Sequence, residues 1–395
     1  MKLDLYKSFS RLKIASLYGI GKHIATLSQL VISYVIIKKH SDILWGEYVE
    51  FFLWVNLIVL FAYFENKSFL LKSFSELPSK IHQSWVTNFN SRILLFLVSL
   101  GIILLVPLFE HYRLLISLWA FSLFYNQSFE VLILYQKDFK FSIFVESLRS
   151  IFIIGAILIF NGTLDLRLLL TLVVIAGILK AVCYSVFYLR KFTNVKMKID
   201  LQVIVRSIPF FLPMLLGTFR SRIDTYYGTI FFTKSELSHY QIFVSILSLA
   251  QLGTAYIVNP YLKNLYRLKS MVLNKIQRQS AWIGIISAIL FLPVLYFTTH
   301  YVYGFNFTIF SYAMGFTFVT TLFLHIILVT EFYKRDQQYT IAIVIAIIAL
   351  FQIVLGYYTI PLYKIEGALA IKVIGQLISV GALFYIKKSR WKITS

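Results

Sequence analysis

Long apolar runs separated by short polar clusters fill the chain from end to end. A helix needs about 20 mostly apolar residues to cross the hydrocarbon core of a membrane. The pattern predicts twelve such spans, at about 14–37, 45–64, 92–109, 114–135, 142–160, 168–189, 207–231, 240–262, 281–299, 307–330, 340–360 and 367–386. The second begins least clearly, because Glu47 and Glu50 fall near the membrane surface. Little of the chain is left over for a soluble domain.

The polar clusters alternate in basicity. Of 38 Lys and Arg residues, 26 fall in clusters on one side, at the N-terminus, 65–92, 136–141, 190–206, 263–280, 331–339 and 387–395. The clusters on the other side hold six, and six more lie inside spans. Such a bias marks the richer side as cytoplasmic. Both termini are therefore expected in the cytoplasm, which requires an even number of spans. The connection 190–206 falls near the midpoint and predicts two six-helix halves, 1–195 and 196–395. A faint echo accompanies it: Trp45-Gly46-Glu47-Tyr48 opens span 2 and Leu237-Ser238-His239-Tyr240 opens span 8. Two such halves around a central cavity are a common transporter plan.

Composition narrows the class further. The chain is 59% hydrophobic and 14% charged, against about 25% charged in a soluble domain. A net charge of +21 also fits nucleic acid in principle, but no hydrophilic domain is present to offer a groove. Cys183 is the single cysteine, so no internal disulfide is possible. The basic N-terminus (Lys2, Lys7, Arg11, Lys13) leads into an apolar run far longer than a signal core, so no cleavable signal is expected. The sequence lacks the phosphate-loop, dinucleotide, His-Glu-x-x-His and Cys-x-x-Cys patterns. The outer connections, none longer than about eight residues, leave no room for a paired-carboxylate glycosidase site. A transporter is expected rather than an enzyme.

The charges inside spans carry the functional argument. Six are cations (Lys22, Arg149, Lys180, Arg220, Arg222, Lys372) and three are acids (Glu130, Glu146, Asp224). Each would cost about 2.5–3.5 kcal/mol at a lipid-facing helix centre, so most are expected to face protein or a water-filled cavity. Helical spacing assigns the faces. Lys22, Thr26 and Gln29 head one polar stripe with Gly19 and Ser33. Arg220, Ser221 and Asp224 share a face with Gly217 and Gly228, while Arg222 points elsewhere. Pro209, Pro213 and Gly217 make span 7 bendable. Ser142, Glu146 and Arg149 align in span 5, Ser122, Asn126 and Glu130 in span 4, and Lys372, Gln376 and Ser379 in span 12. Glu146–Arg149 and Arg220–Asp224 are self-neutralising pairs that helix packing alone would explain as well. Glu130 is near enough to the cytoplasmic surface to snorkel, Lys372 to reach the outer one, and His325 reads as a core histidine. Lys180 has no counter-ion on its own helix.

Phosphate suits such an interior. Lysine offers a point charge and arginine binds two oxygens at once, and low-dielectric walls strengthen both. A lipid-linked sugar diphosphate fits, since its head needs shielding while its tail stays in lipid.

Several segments carry a family likeness. They are Ser16-Leu17-Tyr18-Gly19 through Trp45-Gly46-Glu47-Tyr48, Ser207-Ile208-Pro209-Phe210-Phe211-Leu212-Pro213 with Ile223-Asp224 and Ser238-His239-Tyr240, Asn259-Pro260-Tyr261, and Ile360-Pro361-Leu362-Tyr363-Lys364-Ile365-Glu366-Gly367-Ala368. Through them the chain resembles the polysaccharide-export, or O-antigen flippase-like, branch of the multidrug/oligosaccharidyl-lipid/polysaccharide exporter superfamily. His239 and Lys364 stand where that family often has glycine. The resemblance implies an all-α, MATE-like protein of the bacterial inner membrane. It would move undecaprenyl-diphosphate-linked oligosaccharide of O-antigen or capsule type between leaflets by alternating access. Cationic residues on spans 1 and 7 line the cavity in that family, which here implies Lys22 and Arg220, with Arg222 as a further candidate. Coupling to protons or sodium in parts of the superfamily makes Asp224 and Glu146 the acids to test. Membrane lipids, a polysaccharide polymerase and glycosyltransferases are the partners implied; no cofactor is. A drug exporter of the same fold, a lipid II flippase and a membrane glycosyltransferase or polymerase stand as alternatives.

Overall fold

The computed structural model describes residues 19, 24–160, 164–192, 197–258, 270–335 and 337–391. Among them the chain is helical throughout, with no strand. Residues 24–39 form α1. The other helices are α2 (Asp42–Tyr63), α3 (Asn66–Glu76), α4 (Ile81–Leu105), α5 (Arg113–Ser128), α6 (Glu130–Gln136), α7 (Phe139–Ile159), α8 (Leu166–Tyr188), α9 (Leu201–Phe231), α10 (Lys234–Val258), α11 (Ser270–Tyr296), α12 (Ile309–Lys334) and α13 (Gln338–Trp391). Eight helical stretches among the described residues are long and apolar enough to cross a membrane. The remaining predicted spans fall on α1, on α5 with α6, on α10, and on the second arm of α13. Each of the twelve apolar runs thus coincides with helix in its described part, as a multi-pass membrane protein requires.

Local chemistry sets the ends. The Ser41 hydroxyl accepts from the Leu44 amide at 3.0 Å and starts α2. The Asp165 carboxylate accepts from the Leu168 amide at 2.7 Å and starts α8. Both are side-chain caps for amides that a helix start leaves unpaired. Phe64 (φ 48°) and Glu65 (φ 46°) are both left-handed and turn the chain out of α2 into α3. The short helix α3 buries Leu70 and Phe74, with Tyr135 of α6 edge-on to Phe74 at 5.4 Å.

The run 114–135 is one predicted span but two helices, broken at Phe129. Ser128 turns its hydroxyl back onto the Phe124 carbonyl at 2.7 Å. The Trp85 indole donates to the Ser128 carbonyl at 2.8 Å, taking an acceptor that a continuous helix would use itself. Such back-bonding and intrusion are known causes of helix breaks.

Spans 11 and 12 follow one another without a loop. Lys364 (φ 49°, ψ −127°) is the single non-helical residue within α13, yet the Gln352 amide donates to the Ile371 carbonyl at 3.1 Å. In a straight helix those two residues would be roughly 28 Å apart, so α13 doubles back at Lys364. Gly367 allows the reversal, because a Cβ there would lie 2.7 Å from the Thr359 carbonyl oxygen. Lys364 occupies a backbone region that favours glycine, and its ammonium group holds the Phe231 carbonyl at 2.7 Å. Comparing Lys364→Gly with Lys364→Ala removes that contact from both and leaves only the backbone difference. The glycine variant should be the more stable by about 1–2 kcal/mol, read as a higher melting midpoint in detergent.

The chain packs as two compact units, Leu27–Leu215 in one and Met1–Thr26 with Leu216–Ser395 in the other. The division falls within α9, just after Pro213. In the first unit, Tyr48 stacks on Trp119 with ring centres 5.6 Å apart, and Phe211 stacks on Phe64 at 4.1 Å. A Cβ on Gly177 would lie 2.5 Å from the Ser122 hydroxyl, which brings α8 tightly onto α5. In the second unit, Gly284 packs against the Thr320 carbonyl of α12 and Gly375 against Gln352. Leu328, Phe332, Ile341, Val344, Ile348 and Leu383 form an apolar core joining α12 to both arms of α13.

Candidate functional site

Charged clusters inside the helices are the candidates, and each unit holds its own. In the first unit, Glu146 on α7 is bridged by two cations. Arg149 Nη1 donates to Oε1 at 2.6 Å and Lys180 Nζ, from α8, donates to Oε2 at 2.5 Å. The predicted i,i+3 pair therefore forms, and Lys180 finds across the helix interface the counter-ion its own helix lacks. Its ammonium also lies 5.7 Å from the centre of the Tyr184 ring. The side chains of Glu146, Lys180 and Arg149 are 9%, 21% and 29% exposed. One carboxylate between two cations leaves the cluster one positive charge in excess.

In the second unit, Asp224 on α9 is almost fully buried. Its carboxylate accepts from Lys372 Nζ at 3.0 Å, from the Tyr240 hydroxyl and from Thr225 at 3.4 Å. Lys372 also donates to the Ser221 carbonyl at 2.9 Å, so it is spent inside the helix bundle rather than at the outer surface. The expected pairing of Arg220 with Asp224 is corrected here. Arg220 Nη2 instead donates to Gln376 Oε1 at 2.8 Å. Lys372 and Tyr240 reach Oδ2 of the carboxylate from other helices, while Gln376 offers Arg220 an acceptor one turn along α13. His325 meets Ser379 at 3.1 Å, a satisfied core histidine. The stripe Lys372, Gln376, Ser379 predicted for span 12 thus faces Asp224, Arg220 and His325 in turn.

Lys22 lies outside the described residues, as does Asn259-Pro260-Tyr261. Thr26 and Gln29 stand half-buried on α1, and Arg222 is half-buried on α9. The exposed Ser221 turns its hydroxyl onto the Thr218 carbonyl at 2.9 Å. Asn126 of the polar face in span 4 donates to the Gly177 carbonyl at 2.9 Å, so that face serves helix packing.

Two buried clusters escaped the sequence reading. Arg92 is 2% exposed. Its guanidinium donates to Asn88 Oδ1 at 2.7 Å, the Tyr63 carbonyl at 3.3 Å and the Ser128 hydroxyl at 3.3 Å, and it lies 5.3 Å from the centre of the Phe124 ring. Glu331, 1% exposed, receives Lys387 Nζ at 2.6 Å. Asn88 one turn before Arg92 was the available signal for the first; Glu331 within an apolar helix end was the signal for the second.

Comparison with solved structures places this fold. An inward-facing multidrug-resistance MATE family transporter of the MOP superfamily superposes with a TM-score of 0.66 at 12% identity, covering 93% of this chain and 94% of that one. The lipid II flippase MurJ, in an inward closed conformation, superposes at 0.66 and 14% identity, covering 94% and 87%. A MOP superfamily transporter from Pyrococcus furiosus, described as having a binding pocket of reverse polarity, gives 0.54 and 14%, covering 97% and 95%. No protein-family model matches the chain, and no curated protein matches it in sequence. The fold is that of the MATE and MOP transporters.

Proposed function

We propose that this chain is a flippase that carries undecaprenyl-diphosphate-linked oligosaccharide, of O-antigen or capsule type, across the bacterial inner membrane by alternating access. The observation that supports it most is the excess of cations within the helices. Arg149 and Lys180 share one acid, and Arg220 is held by an uncharged glutamine. Such positions suit the phosphates of an anionic head group and disfavour a cationic drug. Lys22 and Arg220 are the residues proposed to meet the diphosphate, with Arg149, Lys180, Arg222 and Lys372 as further cationic points and Thr26, Gln29 and Ser221 as polar lining. Asp224 and Glu146 are the acids proposed for proton or sodium coupling. A polysaccharide polymerase and glycosyltransferases would supply and consume the substrate.

The test is a Lys22→Ala plus Arg220→Ala variant in the native host. Surface polysaccharide is expected to fall at least tenfold, at unchanged protein level, if each lost phosphate contact contributes about 1.5–3 kcal/mol. Normal surface polysaccharide in that strain would refute the cationic-path reading.

A further inference from the structure

We propose that Glu146 is an internal competitor for the substrate's phosphate, a carboxylate that keeps Arg149 and Lys180 in place for an anion and weakens its hold once bound. The proposal rests on the flippase reading. Each Glu146 oxygen takes one cation, at 2.6 and 2.5 Å. A phosphate presents pairs of oxygens to an arginine fork and a lysine in the way a carboxylate does. It can therefore accept from the same donors without their being rebuilt. Burial orders the three groups: the carboxylate is the most covered and both cations keep an open side. An approaching anion meets positive charge first.

Charge balance argues against a purely structural pair. One cation would neutralise Glu146; the second, brought in from α8, leaves an excess charge inside an apolar helix bundle, where ions are costly. A site with two bare cations would hold a diphosphate tightly, whereas a transporter must also let go. Glu146 supplies the repulsion and the returning partner that make release possible.

The experiment titrates undecaprenyl diphosphate, without sugar, onto the full-length protein in nanodiscs at fixed salt. Glu146→Gln is expected to bind about tenfold tighter, the effect of one unpaired charge at partial burial, while surface polysaccharide in cells falls because release slows. Glu146→Asp, whose carboxylate is drawn back by one methylene from both donors, should bind between wild type and Glu146→Gln. Glu146→Gln with Arg149→Gln restores the cluster's net charge and should return affinity to within about threefold of wild type. Equal or weaker binding by Glu146→Gln overturns the proposal, and so does wild-type affinity in Glu146→Asp should the glutamine variant fail to fold. Absence of any binding by the wild type would instead overturn the flippase reading itself.

Discussion

Asp224→Ala is expected to destabilise the protein by about 3–5 kcal/mol, the range for removing one partner of a buried ion pair. The carboxylate is 1% exposed and Lys372 only 11%, so water cannot take over the lost partner. The lysine would keep its bond to the Ser221 carbonyl but lose its counter-ion, and the Tyr240 hydroxyl would lose its acceptor. Arg220, one turn away on α9, adds a second positive charge nearby. Asp224→Ala with Lys372→Met leaves no buried charge in the pair and should recover most of the loss, because a buried pair contributes little over apolar groups of similar volume. Melting midpoints of both single variants and the double form the cycle that measures the coupling. A wild-type midpoint in Asp224→Ala would show that the pair does not hold α9 to the second arm of α13. Because Asp224 is also a proposed coupling acid, Asp224→Asn provides a separate reading: it preserves volume and an acceptor for Tyr240, so lost export at retained stability points to the charge itself.

The residues involved show what a sequence of this kind makes legible. Hydropathy reports a local transfer free energy, and the apolar runs could be placed on helices because each is decided by its own residues. The Glu146–Arg149 pair was visible for the same reason, being one helical turn long. Lys180 was visible as a charge with no counter-ion on its own helix and Lys372 as one able to reach the outer surface, yet the partners of both were not. Glu146 is 34 residues from Lys180 and Asp224 is 148 from Lys372. Helical period assigns a residue to a face but not that face to a neighbour, which is why Arg220 was paired with the nearer Asp224 rather than with Gln376. The break at Phe129 was hidden because it depends on the indole of Trp85, 43 residues earlier. Arg92 and Lys387 were hidden by their position. Counted at the ends of apolar runs, both read as orientation charges, although each is folded inward onto acceptors from other helices.

Lys387 sets the second large expected effect. Its ammonium group has three donors, and three acceptors take them: Asn274 Oδ1 at 2.7 Å, Gln277 Oε1 at 2.8 Å and Glu331 Oε2 at 2.6 Å. One side chain thereby ties α11, α12 and the end of α13 together. Lys387→Met would leave Glu331, 1% exposed, with Arg335 at 3.9 Å and itself 32% exposed, a longer and more screened contact. A loss of about 3 kcal/mol follows. Lys387→Arg should recover less than half of it, since a planar fork cannot reach three acceptors placed around a single nitrogen. Glu331→Leu with Lys387→Met removes both charges and should come close to wild type. Melting midpoints give the energies, and hydrogen exchange locates them: in Lys387→Met the amides of the second arm of α13 should exchange faster than those of α7 and α8, which the substitution does not touch. Uniform exchange across both units would mean that the cluster does not anchor α13.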